Sequence, residues 1–164
     1  MILRVRWNGN DVNIKQIGAE WTPADEDLQG VVSACREFIE SRFPEPSDHG
    51  AAAMLRGNGM VVTGTAPEAV NPSVEPCHEV GPYCEAFRVR QPVMASVCLH
   101  RSVEGVIRVL SPYGVCLERL AIHGAGVLVG VPQSGDPGSV HWVRLSNALP
   151  HYWRLAFPEE LTGW

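Results

Sequence analysis

Ser111-Pro112-Tyr113-Gly114-Val115-Cys116-Leu117-Glu118-Arg119-Leu120 is the stretch on which the fold turns. Pro112 stands just ahead of a segment, Gly114 to His123, that suits a helix and is stopped by Gly124. Positions 113 and 116 are spaced so that their side chains share one helical turn. The positive end of the helix dipole favours an ionised thiol at Cys116. A tyrosine occupies the other position. Upstream, Cys77-His78-Glu79 supplies a second thiol with a carboxylate two residues on. From Cys77 to Gln91 the chain can be helical, although Gly81-Pro82 demands a kink or a later start.

Working outward, the elements alternate. Thr22-Pro23 followed by Asp25, Glu26 and Asp27 is a helix start, and Leu28, Val31, Val32, Cys35, Phe38 and Ile39 recur at helical spacing up to Pro44. Ala51-Ala52-Ala53-Met54-Leu55 and Met60-Val61-Val62-Thr63-Gly64 flank Gly57-Asn58-Gly59, a hairpin signal. Prolines at 67, 72 and 76 make a loop of residues 66–76. Further strands are expected at Val93 to His100, Val106 to Leu110, Val127 to Val131 and His141 to Leu145, with Asp136-Pro137-Gly138 as a turn. Helices alternating with strands imply a mixed sheet with helices on its faces.

Together these segments resemble the zinc-dependent cytidine deaminases. That family pairs a Cys or His ligand and a non-ligating Glu at one helix start with a Cys-x-x-Cys pair at another. Cys77-His78-Glu79 matches the first pattern, and residues 111–120 match the family's S-P-C-G-x-C-x-E-R-L with Tyr113 in place of a ligand cysteine. Gly50-Ala51-Ala52-Ala53-Met54 is similar to its V-G-A-A-L strand, and Thr63-Gly64-Thr65-Ala66-Pro67-Glu68 to its T-G-V-N-x-E segment. Gly126 to Pro132 and Leu149-Pro150 resemble its closing strand and tail. The match spans roughly residues 28–155. It implies a three-layer α-β-α sandwich around a mixed five-stranded sheet, occupying residues 25–164, with residues 1–24 as an N-terminal arm or hairpin extension.

The resemblance also implies a site. Cys77, Cys116 and Tyr113 would stand at the Zn²⁺ ligand positions, Glu79 would shuttle protons, and Glu68, Ala66 and Pro112 would face substrate. The family's Asn and Glu hold ribose hydroxyls; here Glu68 keeps the carboxylate and Ala66 lacks the amide. A rival alignment, Tyr83-Cys84-Glu85, leaves too few residues before the Val93 strand. Tyr113 admits three readings: a phenolate ligand, a site completed by His78, Cys84 or His123, or a ring filling the metal cavity. The corresponding functions are a hydrolase of cytidine or a nucleoside antibiotic, a zinc-free nucleoside binder or partner subunit, and metal-free catalysis by Cys116 with Glu79 as base. The partner expected is a small nucleoside-like molecule, and the family's habit implies a homo-oligomer, dimer or tetramer.

Other residues have plainer readings. Cys35, Cys98 and Cys84 read as core packing, His78 as pointing away from any ion, Glu118 and Arg119 as a salt bridge or helix contact, and the tail aromatics Tyr152, Trp153, Phe157 and Trp164 as buried apolar surface. In the 164-residue chain a net charge of -5, without a basic stripe, argues against a nucleic-acid polymer as partner. No run approaches the roughly 20 apolar residues of a membrane span. Five cysteines and a start without a signal-peptide h-region point to a cytoplasmic protein with reduced thiols.

Overall fold

The computed structural model describes residues 4–7 and 10–13, as backbone, together with residues 22–157 and 164. Near the N-terminus β1 (Arg4–Trp7) and β2 (Asn10–Asn13) form an antiparallel hairpin. The anchoring expected of Trp7 and Trp21 concerns side chains outside the described residues.

Helix α1 (Asp25–Arg42) carries its three acids in the first turn, and Asp27 Oδ2 accepts the Ala24 N–H at 2.8 Å. Ala24 is therefore the N-cap, and Thr22-Pro23 precede the helix rather than open it. Strands β3 (His49–Arg56) and β4 (Val61–Gly64) pair as the expected hairpin. Gly59 takes φ 78° in its turn, a conformation that favours glycine. Helix α2 (Val80–Arg88) starts after Glu79, so Pro82 lies in the first turn, where its missing N–H costs nothing and no kink arises. Next come β5 (Val93–Arg101), β6 (Ile107–Leu110), α3 (Gly114–Leu120), β7 (Leu128–Gln133), β8 (Asp136–Arg144) and the single turn α4 (Leu145–Ala148). The turn before β8 is at Ser134-Gly135, with Gly135 at φ 82°. Asp136-Pro137-Gly138 opens the strand instead of forming the turn, and Asp136 Oδ1 accepts the Gly138 N–H at 3.1 Å.

Among the described residues the sheet has six strands rather than the expected five, ordered β4-β3-β5-β7-β8, because β6 also pairs with β5. Only β5 and β7 run parallel. Their pairing involves Ala95 and Ser96, whereas β6 pairs with Cys98 to Arg101 on the same edge of β5. Two strands thus share one edge and the sheet forks near Val97. The chain leaves β6 through Ser111-Pro112-Tyr113 and enters α3 at this fork.

Alternation along β3 and β5 builds the layers. Ala51, Ala53, Leu55, Ala95, Val97 and Leu99 pack beneath Leu28, Val31, Cys35 and Ile39 of α1. On the opposite face Met54 and Val93 pack with Ala86 of α2, Leu117 and Leu120 of α3 and Leu145 of α4. A strand covered on both faces has no polar alternation to show, which is why Ala51 to Leu55 reads as a continuous apolar run. The three-layer α-β-α sandwich implied by the sequence is therefore the observed architecture.

Candidate active site

Two helix starts meet over the fork in the sheet. Tyr113 is the N-cap of α3, and its carbonyl accepts the N–H groups of Cys116 and Leu117, each at 2.9 Å. That holds Cys116 in the first helical turn, 1% exposed. Cys77, His78 and Glu79 form a turn ahead of α2: the Cys77 carbonyl accepts the Val80 N–H at 3.0 Å, and the Glu79 carbonyl that of Tyr83 at 3.0 Å. Glu79 is 5% exposed and Cys77 half-buried. Cys77 Sγ, Cys116 Sγ and a Glu79 carboxylate oxygen all lie within 4.8 Å of one another.

The electrostatics of this cluster keep the Cys116 thiol neutral in the absence of a cation. The Cys116 thiol is pushed up to about 12, first by burial and then by the neighbouring Glu79 charge and Cys77. Arg119 Nη1 lies 4.0 Å from the Cys116 sulfur. A divalent metal would favour the ionised form of both thiols by its own charge, and two thiolates beside a carboxylate form a donor set suited to zinc. The residues present fit a metal on these grounds. Cys98, read from the sequence as packing, is buried, and its thiol is raised first by burial and then by its neighbours Glu79, Cys35, Cys116 and Cys77. It forms part of the floor of the site. A buried cysteine in an apolar strand gives no signal of that placement in sequence.

The remaining expected residues separate. Tyr113 turns its ring outward, 70% exposed, so it does not fill the space between the thiols. Pro112 is buried, Ala66 half-buried, and Glu68 exposed in the loop after β4. None of the three side chains proposed to complete the ligand set joins the cluster. Cys84, expected in the core, is exposed, because its place on α2 faces away from the sheet. His123 packs edge-on against Tyr83 at 6.0 Å, and burial lowers its pKa to about 4. His78 points away from the thiols, as expected: its Nδ1 accepts the Ala66 N–H at 2.9 Å. Burial, with His100 and His49 nearby, holds it below the ordinary histidine range. Glu85 of the rival motif pairs with Arg88 at 2.7 Å on the exposed side of α2.

Glu118 does not pair with Arg119, since adjacent helical residues point in different directions. It accepts instead from the Tyr152 hydroxyl at 3.0 Å and from Trp153 Nε1 at 3.2 Å, fastening the C-terminal tail to α3. The tail is only partly buried: Tyr152 is 6% exposed and stacked on Trp164 at 4.5 Å, whereas Trp153, Leu155 and Phe157 face outward. A sequence shows that a tail is aromatic but not which rings its few polar anchors turn inward.

No protein-family model matches the chain, and no curated protein matches it. Among solved structures, a cytidine deaminase from Bacillus anthracis is 31% identical with a TM-score of 0.73, over 83% of this chain and 95% of that one. A cytidine deaminase from Mycobacterium tuberculosis is 25% identical with a TM-score of 0.54, over 79% of this chain and 97% of that one. A third, from Burkholderia pseudomallei, shares the fold at 16% identity and a TM-score of 0.58, over 75% of this chain and 96% of that one. The identity to the Bacillus anthracis protein, spread over nearly its whole length and accompanied by the same fold, shows that this chain belongs to the cytidine deaminase family.

Proposed function

We propose that the protein is a hydrolytic deaminase of a free cytidine-type nucleoside or of a nucleoside antibiotic built on one. The convergence of Cys77, Glu79 and Cys116 carries this reading. Cys77 and Cys116 would hold zinc, with Tyr113 as the residue nearest in sequence to a third ligand position. The chemistry that zinc held there would supply is a water whose pKa is lowered toward neutrality. Glu79 takes a proton from the attacking water and delivers it to the departing exocyclic amine, which leaves as ammonia. Its burial keeps bulk water from competing for that proton. Glu68, exposed in the loop after β4, receives a sugar hydroxyl, and the backbone of Ala66 and the buried Pro112 shape the wall beside it.

Exposed apolar residues Val115, Trp153, Leu155 and Phe157, on α3 and the tail it anchors, support a homo-oligomer, dimer or tetramer, covering this surface. A cytoplasmic protein with reduced thiols suits the site, since oxidised cysteines bind no zinc. No helix of the described residues is long and apolar enough to cross a membrane.

One observation favours a second reading. The outward-facing ring of Tyr113 leaves the chain with two thiols where the family pattern has three ligands, so the pocket would bind a nucleoside without hydrolysing it. A direct assay decides between the two: incubation with cytidine, deoxycytidine and cytosine-containing antibiotics, read by ammonia release. Release from at least one supports the deaminase; tight binding with no release from any supports the binder.

A further inference from the structure

His78 lies between the candidate ligand Cys77 and the candidate proton shuttle Glu79, yet its side chain serves a different part of the molecule. Its Nδ1 accepts the Ala66 N–H at 2.9 Å. The edge of the ring lies over the backbone of Gly50: a Cβ added at that glycine would come within 2.6 Å of Nε2 and 2.9 Å of the Leu99 carbonyl. Only a residue without a side chain leaves that notch open. Thr65 Oγ1 donates to the Gly50 carbonyl at 2.6 Å and lies 3.4 Å from His78 Nδ1. One imidazole thus bridges the turn before α2, strand β3 and the loop that leaves β4. The loop residue it holds is Ala66, where the chain lacks the amide side chain of the family pattern and has only its backbone to fix it.

We propose that His78 is a positioning residue for substrate: by seating in the Gly50 notch and accepting the Ala66 amide proton, it fixes the Ala66 to Glu68 segment relative to Glu79. The consequence rests on the deaminase reading. Glu79 must meet the amine of the base while Glu68 meets the sugar, so the distance between the two carboxylates sets which nucleosides align. His78 is adjacent to one and, through Ala66, two residues from the other. Without it the loop loses the side-chain contacts of both Ala66 and Thr65 to the turn that carries Glu79.

Two replacements separate a positioning role from simple packing. In His78→Asn the amide oxygen occupies the place of Nδ1 and can still accept the Ala66 N–H; in His78→Gln it reaches past toward Nε2 and cannot. Amide exchange at Ala66, read in both variants and the native chain, should stay slow in His78→Asn and rise about tenfold or more in His78→Gln. In the assay KM for the nucleoside should rise about tenfold in His78→Gln, with kcat within about threefold of native, and recover in His78→Asn. Equal Ala66 exchange in all three proteins, or equal loss of kcat in both variants, overturns the proposal. A native chain that deaminates no nucleoside defeats the deaminase reading instead, and Ala66 exchange then still decides whether His78 holds the loop.

Discussion

Cys77 Sγ and Cys116 Sγ lie within 4.8 Å of each other although α2, β5 and β6 separate them in the chain. Each is placed by the backbone hydrogen bonds of its own helix start, so their meeting reflects the docking of two helix ends on one forked sheet. A thiol raised to about 12 cannot ionise alone near neutral pH. Cys116→Ser should therefore leave the fold intact and reduce zinc affinity by at least about 100-fold, because a serine hydroxyl is a poor zinc ligand. Equilibrium competition with a chromogenic chelator measures this; unchanged affinity would place the metal elsewhere.

Glu79 is the buried carboxylate of the cluster, and its assigned work is proton transfer. Glu79→Gln keeps its shape and hydrogen-bonding reach but accepts no proton. The substitution should lower kcat by about 10²- to 10⁴-fold while zinc content is retained. Single-turnover deamination with parallel metal analysis distinguishes this from metal loss, which would instead make Glu79 a ligand.

Tyr113, the N-cap of α3 three residues ahead of Cys116, turns its ring outward. Tyr113→Cys should raise zinc affinity by about tenfold or more, since a thiolate replaces a weakly coordinating or absent group. Titration of the apo protein with zinc reads the change. If deamination arises only in the variant, the native chain is the binder of the second reading.

Much of this was legible in the sequence, for identifiable reasons. Helical spacing exposed α1, glycines marked the β3 to β4 turn, and the Cys77 and Cys116 motifs lie in contiguous stretches whose chemistry needs particular residue types. What escaped depends on contacts across the fold. Asp27 caps Ala24 rather than leaving Thr22 to begin the helix, Cys84 falls on the outer side of α2, and Glu118 reaches the tail instead of Arg119. Cys98 and His78 look like filler because their neighbours in space are distant in sequence.

His123 gives the chain a pH dependence separate from catalysis. Its buried Nε2 has no hydrogen-bond partner among the described residues, and burial depresses its pKa from 6.5 to about 4. Above pH 6.5 it is neutral whether folded or unfolded, and its contribution is complete. As pH falls toward 4 the unfolded chain gains a proton that the folded chain refuses, so stability declines. Between pH 6.5 and 5 the loss should be about 1.5 kcal/mol from this residue, with His78 adding in the same direction. Urea unfolding across that window should show a flatter profile in His123→Phe; an identical slope would show that His123 titrates normally.

The central claim, that this chain is a metal-dependent deaminase, is tested most directly by metal content measured alongside ammonia release on one purified sample. About one zinc per chain is expected, with cytidine-type nucleosides deaminated in proportion to that occupancy. Zinc well below one equivalent after growth with the metal, and no ammonia from any nucleoside, would contradict it.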